Sequence, residues 1–246
     1  MADMVGKALR VLSLLGGYPE GVPLSELARA AGYPVSTTHR LLSSLQSEGF
    51  ARNDPISKRY SLGLRLFELG QSVSQARGFA GVALPVMQKV SAETGEPTLL
   101  AVLDGHNQVY VHSVQGSQRL QIRGEPGARG PLHCTSMGKC LVAFASNRDE
   151  LVASLDLPEL GPRTITAREA FAAEIAAVRE RGFAIADEEH EEGIRAVGVP
   201  IRTPDGTAIA ALSTAAPAYR LSVAQLEEFV PALRAAAREL AALLPR

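Results

Sequence analysis

The stretch Gly32 to Gly49, GYPVSTTHRLLSSLQSEG, constrains this chain more than any other. It sets a helix stop beside a helix start. Gly32 takes the left-handed conformation cheaply just past a C-terminus. Pro34 loses nothing in a first turn, where its missing N–H has no partner to lose. Thr38, Leu41, Leu42 and Leu45 then recur at three- and four-residue steps, so they share one face. The other face carries Ser36, Thr37, His39, Arg40, Ser43, Ser44 and Ser47, with no acid before Glu48. Hydroxyls, an imidazole and a guanidinium complement base edges and phosphates. A helix that only turns a polar face to water has the same pattern. The flanking segments decide between the two.

Upstream, residues 4–15 read as a helix with Val5, Ala8, Leu9, Leu12 and Leu15 on one stripe. Gly16-Gly17-Tyr18-Pro19 breaks it, and LSELARAA over 24–31 forms a second, shorter helix. Three helices, the last two joined by a tight glycine turn, predict a helix-turn-helix. Downstream, residues 50–52 and 57–62 are extended around the turn Asn53-Asp54-Pro55. This hairpin is a wing, with Arg52, Lys58 and Arg59 near its tip, placed to reach phosphates or a minor groove. Residues 1–77 hold nine Lys/Arg and six Asp/Glu, whereas the remainder nets −4. A mildly basic head on an acidic body fits a head that touches nucleic acid.

The winged domain is expected over 1–62 and a linker helix over 63–77. Leu62, Leu66, Leu69 and Val73 step by four, three and four, a short heptad seam. Such a stripe either pairs with its copy in a second chain or docks on its own winged domain.

Residues 78–246 form the other expected domain. A helix runs from Arg77 to Gly95, followed by strands over 97–103, 108–114 and 119–123. A glycine- and proline-rich loop over 124–130 leads to a helix over 136–145, then to a looser polar stretch. Thr166 to Glu169 reads as a capping box that opens a helix to Arg181. Strands over 183–186, 196–202 and 207–214 follow, the first two flanking the acidic segment 187–192. A second capping box, Ser222 to Gln225, starts a last helix to about Leu243. About six strands with helices at both ends, and no regular βα alternation, indicate an α+β fold around a mainly antiparallel sheet.

Other chemistry is weakly signalled. At 46% hydrophobic and 21% charged the composition is that of an ordinary globular protein. The longest apolar runs are too short to span a membrane, and the N-terminus does not read as a signal peptide. A cytoplasmic protein with Cys134 and Cys140 both reduced is expected. His133 beside Cys134 suggests a nucleophile and a base, yet nothing marks a third group to orient the base. His133, Cys134 and Cys140 match no common zinc spacing. GEPGARG lacks the Lys-Ser/Thr of a phosphate-binding loop. No catalytic residue, metal site or cofactor is expected.

The layout resembles the IclR family of bacterial transcriptional regulators over nearly the whole chain. The motifs that carry the resemblance are SELARAAGYPVSTTHRLLSSLQSEGF, NDPISKRYSLGLRLFELG, HCTSMGKCLVAF, and FAIADEEHEEGIRAVGVPI followed by ALSTAAP. The resemblance implies an N-terminal winged helix joined to a C-terminal effector-binding domain of GAF-like fold. It implies homodimers, or dimers of dimers, that bind double-stranded operator DNA and respond to a small metabolite. It places the effector between the sheet and the loop-helix His133 to Lys139. Ser136 and Met137 stand at the helix start, with Leu132 and Met137 as apolar walls. An acid group would rest on N–H groups around Met137 and Gly138, as suits a helix N-terminus. Asp187 opens the acidic loop, and Ala196 stands where several members have cysteine. Ser213 matches the first of two serines often found on the late strand, and Ala215 replaces the second. These departures favour an effector larger or more apolar than glyoxylate or pyruvate.

Overall fold

The computed structural model describes residues 4–76, 79–120 and 122–244. The chain divides into two compact units, Met1–Ala76 and Arg77–Arg246. Among the described residues no helix is long and apolar enough to cross a membrane.

The first unit contains α1 (Met4–Leu15), β1 (Val22–Pro23), α2 (Leu24–Ala31) and α3 (Val35–Ser47), then β2 (Ala51–Asn53), β3 (Arg59–Leu62) and α4 (Arg65–Ala76). Gly32 closes α2 at φ 71, and its N–H and that of Tyr33 bind the carbonyls of Arg29 and Ala28. Leu27, Ala31, Leu41 and Leu42 bury against Val11 and Leu15 of α1. The α1 stripe therefore runs through Ala8, Val11 and Leu15, not through Val5 and Leu9, which are 66% and 56% exposed. The wing has a third strand, in the order β1-β3-β2. Two residues before α2 pair with Arg59 and Tyr60, too short a run to register as a strand in the sequence.

The second unit opens with a π-helical turn (Phe79–Ala83) running into α5 (Leu84–Thr94). Arg77, the expected helix start, lies outside the described residues. Next come β4 (Thr98–Asp104), β5 (Asn107–Val114), β6 (Arg129–Pro131), α6 (Ser136–Ala143), α7 (Arg148–Ser154) and α8 (Arg168–Arg181). β7 (Ala184–Asp187), β8 (Ile194–Arg202), β9 (Ala208–Pro217), α9 (Val223–Glu227) and α10 (Val230–Leu243) complete it. The six strands are ordered β6-β5-β4-β9-β8-β7, with every neighbouring pair antiparallel. Alternation along β4 sends Leu100 and Val102 to a core with α5 and α10. It sends Leu99 and Ala101 to a second core with α6 and α8. Both faces are covered, so the central strands read as continuous apolar runs.

Four local expectations need correction. RLQIR over 119–123 is not a strand, and its Gln121 lies outside the described residues. The free edge of β5 is occupied by β6, which pairs with Asn107 to Val109, and by Ala128, whose carbonyl accepts the Tyr110 N–H. The helix expected from Thr166 starts one residue later, with Ala167 as its uncapped N-cap, so no capping box forms there. The polar stretch after Ala145 contains α7, which buries Leu151. The Ser222–Gln225 box does form, with both of its arms present. Its helix breaks after Glu227 before α10 resumes.

Candidate nucleic-acid interface and effector cavity

In the first unit, α3 turns Ser36, His39, Arg40, Ser43 and Ser44 to solvent, with Thr37 half-buried and Thr38 fully buried. Ser43 Oγ donates to the His39 carbonyl at 3.0 Å and Ser44 Oγ to the Arg40 carbonyl at 3.2 Å. Their protons are committed to the helix, so they present lone pairs outward and act as acceptors. The wing turn is built by Asp54. Its carboxylate accepts the N–H groups of Ile56 at 2.8 Å and Ser57 at 3.2 Å. These backbone bonds hold the Asp54 carboxyl below its ordinary range. Lys58 at the tip adopts φ 55, a left-handed conformation unusual for a side-chain-bearing residue. Arg52, Lys58 and Arg59 are all exposed, although Arg59 Nε donates to the Gly21 carbonyl at 3.2 Å.

The linker helix α4 presents apolar side chains without a core. Leu69 and Val73 are 42% and 60% exposed and Leu66 is half-buried, whereas Leu62, 41% exposed, ends β3 and so stands outside the helical seam expected of it. Phe67, which the heptad reading left out, is 64% exposed.

In the second unit a cavity of about 130 Å³ lies between the sheet and the start of α6. Its floor is made of missing side chains. Ala186, Ala196 and Ala215 are register partners across β7, β8 and β9, and all three line the space. Leu99 and Ser213, paired across β4 and β9, extend this floor. Tyr110, Ile122, Met137 and Ile194 add apolar wall. Arg123, Ser136, His190 and Glu191 supply polar groups. Thr135 caps α6, its Oγ1 accepting the Gly138 N–H at 3.0 Å. The N–H groups of Ser136 and Met137 are among the first four of the helix, which have no carbonyl a turn back within it.

Ser136, Met137, Ala196 and Ser213 thus come together as expected. Leu132, Gly138 and Asp187 do not line the cavity. Leu132 is buried in the core beneath α6. Gly138 is glycine for close packing, since a Cβ there would stand 2.4 Å from the Leu132 carbonyl oxygen. Its N–H is also taken by the cap. Asp187 is bound by Arg163 and Arg195. Sequence reasoning missed Arg123 and His190. Arg123 sits in a segment that alternates like a strand, and His190 lies inside an acidic run whose sequence marks no site.

It also missed Lys139, a fully buried lysine on α6. Its Nζ donates to Glu189 Oε1 at 2.6 Å, Glu174 Oε1 at 3.1 Å and the Ile185 carbonyl. Burial raises the Glu189 carboxyl above its ordinary value, opposed by the Lys139 charge. The pair fixes α6 to the loop that carries His190 and Glu191.

The two thiols do not activate. Burial pushes Cys134 and Cys140 up to about 12. Cys140 Sγ donates to the Gly198 carbonyl at 3.2 Å. Burial lowers the His133 pKa, and as the neutral ring its Nε2–H can donate to the Pro158 carbonyl, 2.9 Å away. His133 and Cys134 therefore make no nucleophile–base couple.

A winged helix with an acid-free reading face, in one chain with an α+β unit that encloses a small cavity, defines a ligand-responsive DNA-binding protein. The chain belongs to the IclR family of bacterial transcriptional regulators. Residues 4–55 match the IclR helix-turn-helix domain, and residues 71–242 match the bacterial transcriptional regulator IclR C-terminal domain. It is 34% identical to the transcriptional regulator KdgR of Escherichia coli, over 98% of this chain and 93% of that one. With XynR of the same organism it shares 31%, over 98% and 96%. An IclR homolog from Microbacterium hydrocarbonoxydans, solved with 4-hydroxybenzoate, superposes with a TM-score of 0.85 at 30% identity, covering 98% of both chains. The protein is a DNA-binding transcriptional regulator, not an enzyme.

Proposed function

We propose that this regulator is gated by a small carboxylic acid with an apolar body of about one ring, bound in the alanine-floored cavity. The observation that carries this reading is the cavity itself, about 130 Å³, with apolar walls and Arg123, Ser136, His190 and Glu191 as its polar lining. An apolar cavity of about 150 Å³ accommodates benzene. Arg123 and the first N–H groups of α6 favour an anion, against Glu191 as the acid in the lining. The 4-hydroxybenzoate held by the Microbacterium homolog has this chemistry. Ala196 and Ala215 leave room where larger or more polar residues would intrude.

DNA contact is assigned to Ser36, Thr37, His39 and Arg40 as base readers. Ser43, Ser44, Arg52, Lys58 and Arg59 are assigned to phosphates and groove edges. The exposed seam of Leu66, Leu69 and Val73 joins two copies, so that each dimer reads two half-sites in a bacterial cytoplasm. The chain has no Trp, so a dye-based melting screen of carboxylic acids tests the ligand class. Aromatic or branched acids should raise the melting temperature of wild type and much less that of Arg123→Gln. A screen in which only uncharged or cationic compounds stabilise the protein defeats the reading.

A further inference from the structure

A second and larger concavity, about 570 Å³, lies between the C-terminal end of α8, the turn after β8, and α10. It shares no lining residue with the alanine-floored cavity. Arg179, Arg181, Arg202, Arg234 and Arg238 line it, against a single acid, Glu180. The surrounding domain is acidic, with sixteen Lys/Arg and twenty Asp/Glu over residues 78–246. Five cations gathered in one groove therefore oppose the charge of their own domain.

Four of the five guanidinium groups are held in place. Arg202 and Arg179 lie over the Phe144 ring, 4.7 and 5.7 Å from its centroid. Arg181 and Arg234 lie over the Phe183 ring at 5.1 and 5.7 Å. Arg179 Nη1 donates to the Ala143 carbonyl at 2.9 Å, and Arg181 Nε to the Phe183 carbonyl at 2.8 Å. Arg234 and Arg238 stand one turn apart on α10, with Ala237 between them. Stacked, partly bonded arginines lose less freedom when they bind an anion than free ones do.

We propose that this groove binds a small organic molecule bearing two or more phosphate groups, at a site separate from the effector cavity. Planar guanidinium forks match phosphate oxygens two at a time, and five of them exceed what a single carboxylate can use. The volume falls within the roughly 300–1,000 Å³ of small-molecule sites. Pro204 and Ala241, which also line it and are not buried, offer an apolar seat for the organic part. Glu174 sets the affinity from behind. Arg181 Nη2 donates to Glu174 Oε1 at 2.8 Å, the same oxygen that Lys139 binds. A phosphate in the groove competes with Glu174 for Arg181. Through Lys139 and Glu189 this chain of ion pairs reaches the loop that carries His190.

Calorimetry on the full-length protein tests the site, with inorganic pyrophosphate and tripolyphosphate as probes and sulfate as control, at constant ionic strength. The expected result is saturable binding, one per chain, tighter for tripolyphosphate. R202A/R238A should weaken it at least tenfold while the unliganded protein melts as wild type. Arg238→Glu, a single change at an exposed position, repeats the test by charge reversal. Glu174→Gln, which frees Arg181, should bind pyrophosphate severalfold tighter. Unsaturable binding, or equal affinity in wild type and in both groove variants, overturns the proposal. So does a result in which neither probe binds wild type while the groove variants lose affinity for non-operator duplex DNA. In that case the groove serves the DNA backbone.

Discussion

Replacing Lys139 by Met tests whether the buried charge network holds the effector domain together. Met keeps an unbranched chain of similar length in a fully buried site, so little cavity opens. What is lost is the charge beside Glu189, a residue that is 7% exposed and whose Oε2 has no hydrogen-bond partner. An unpaired buried charge costs about 3–5 kcal/mol. The carboxyl can escape this by taking a proton. From an ordinary value of 4.5, staying protonated at pH 7 costs about 3.4 kcal/mol, at about 1.36 kcal/mol per pH unit. The smaller figure sets the ceiling, because Glu189 is already raised beside Lys139, so Lys139→Met should lose up to about 3 kcal/mol at pH 7. At pH 5 the same reckoning leaves about 0.7 kcal/mol. The sign follows from linkage. A carboxyl whose folded pKa is raised supports the fold below its unfolded value, and that support fades as pH rises. Wild type and variant should therefore nearly coincide near pH 5 and separate toward pH 7. Thermal unfolding reads this as a fall of roughly 6–12 °C for a unit of this size. Adding Glu189→Gln to Lys139→Met should recover most of the loss at pH 7. A loss under about 1 kcal/mol, a loss equal at both pH values, or no recovery in the double variant refutes the reasoning.

Three further outcomes follow from other parts of the structure. Cys134 and Cys140 should resist alkylation by iodoacetamide at pH 8 in the folded protein and react after denaturation, because burial holds both as thiols; fast labelling of the native protein contradicts this. Asp54→Ala should speed amide exchange of Ile56 and Ser57, and wild type should show the same loosening only as pH falls below the ordinary Asp range, since its depressed carboxyl supports the turn above that range. Exchange that is unchanged in the variant removes Asp54 from the wing's support. Leu66→Glu with Leu69→Glu should abolish high-affinity binding to upstream DNA while the effector domain keeps its melting transition. Binding equal to wild type removes α4 from the dimer.

The reading helix was legible because both of its signals are local. A glycine stop and a face free of acid need no knowledge of the rest of the chain. Five of the six strands were legible too, since strands covered on both faces keep unbroken apolar runs. Residues 119–123 alternate like a strand, but alternation cannot say that β6 and Ala128 already occupy the edge they would need. Thr166 and Glu169 have capping-box spacing, yet the helix begins one residue too late to use it. The cavity floor is the clearest case. The resemblance marks Ala196 and Ala215 one by one, but that they join Ala186 in a single floor emerges only when antiparallel register aligns the three strands. Lys139 was hidden for the same reason, because Glu174 and Glu189 lie 35 and 50 residues away.

The central claim is that occupancy of the alanine-floored cavity changes DNA binding. The measurement is affinity for the protein's own upstream DNA, with and without a saturating amount of the best stabilising acid from the melting screen. It is made on wild type and on Ala196→Leu, which fills the floor between Ala186 and Ala215. Wild-type affinity should change by about 5- to 150-fold, the usual span of allosteric coupling. Ala196→Leu should bind DNA as unliganded wild type does and ignore the acid. An Ala196→Leu protein that responds as fully as wild type contradicts the claim and puts the effector elsewhere.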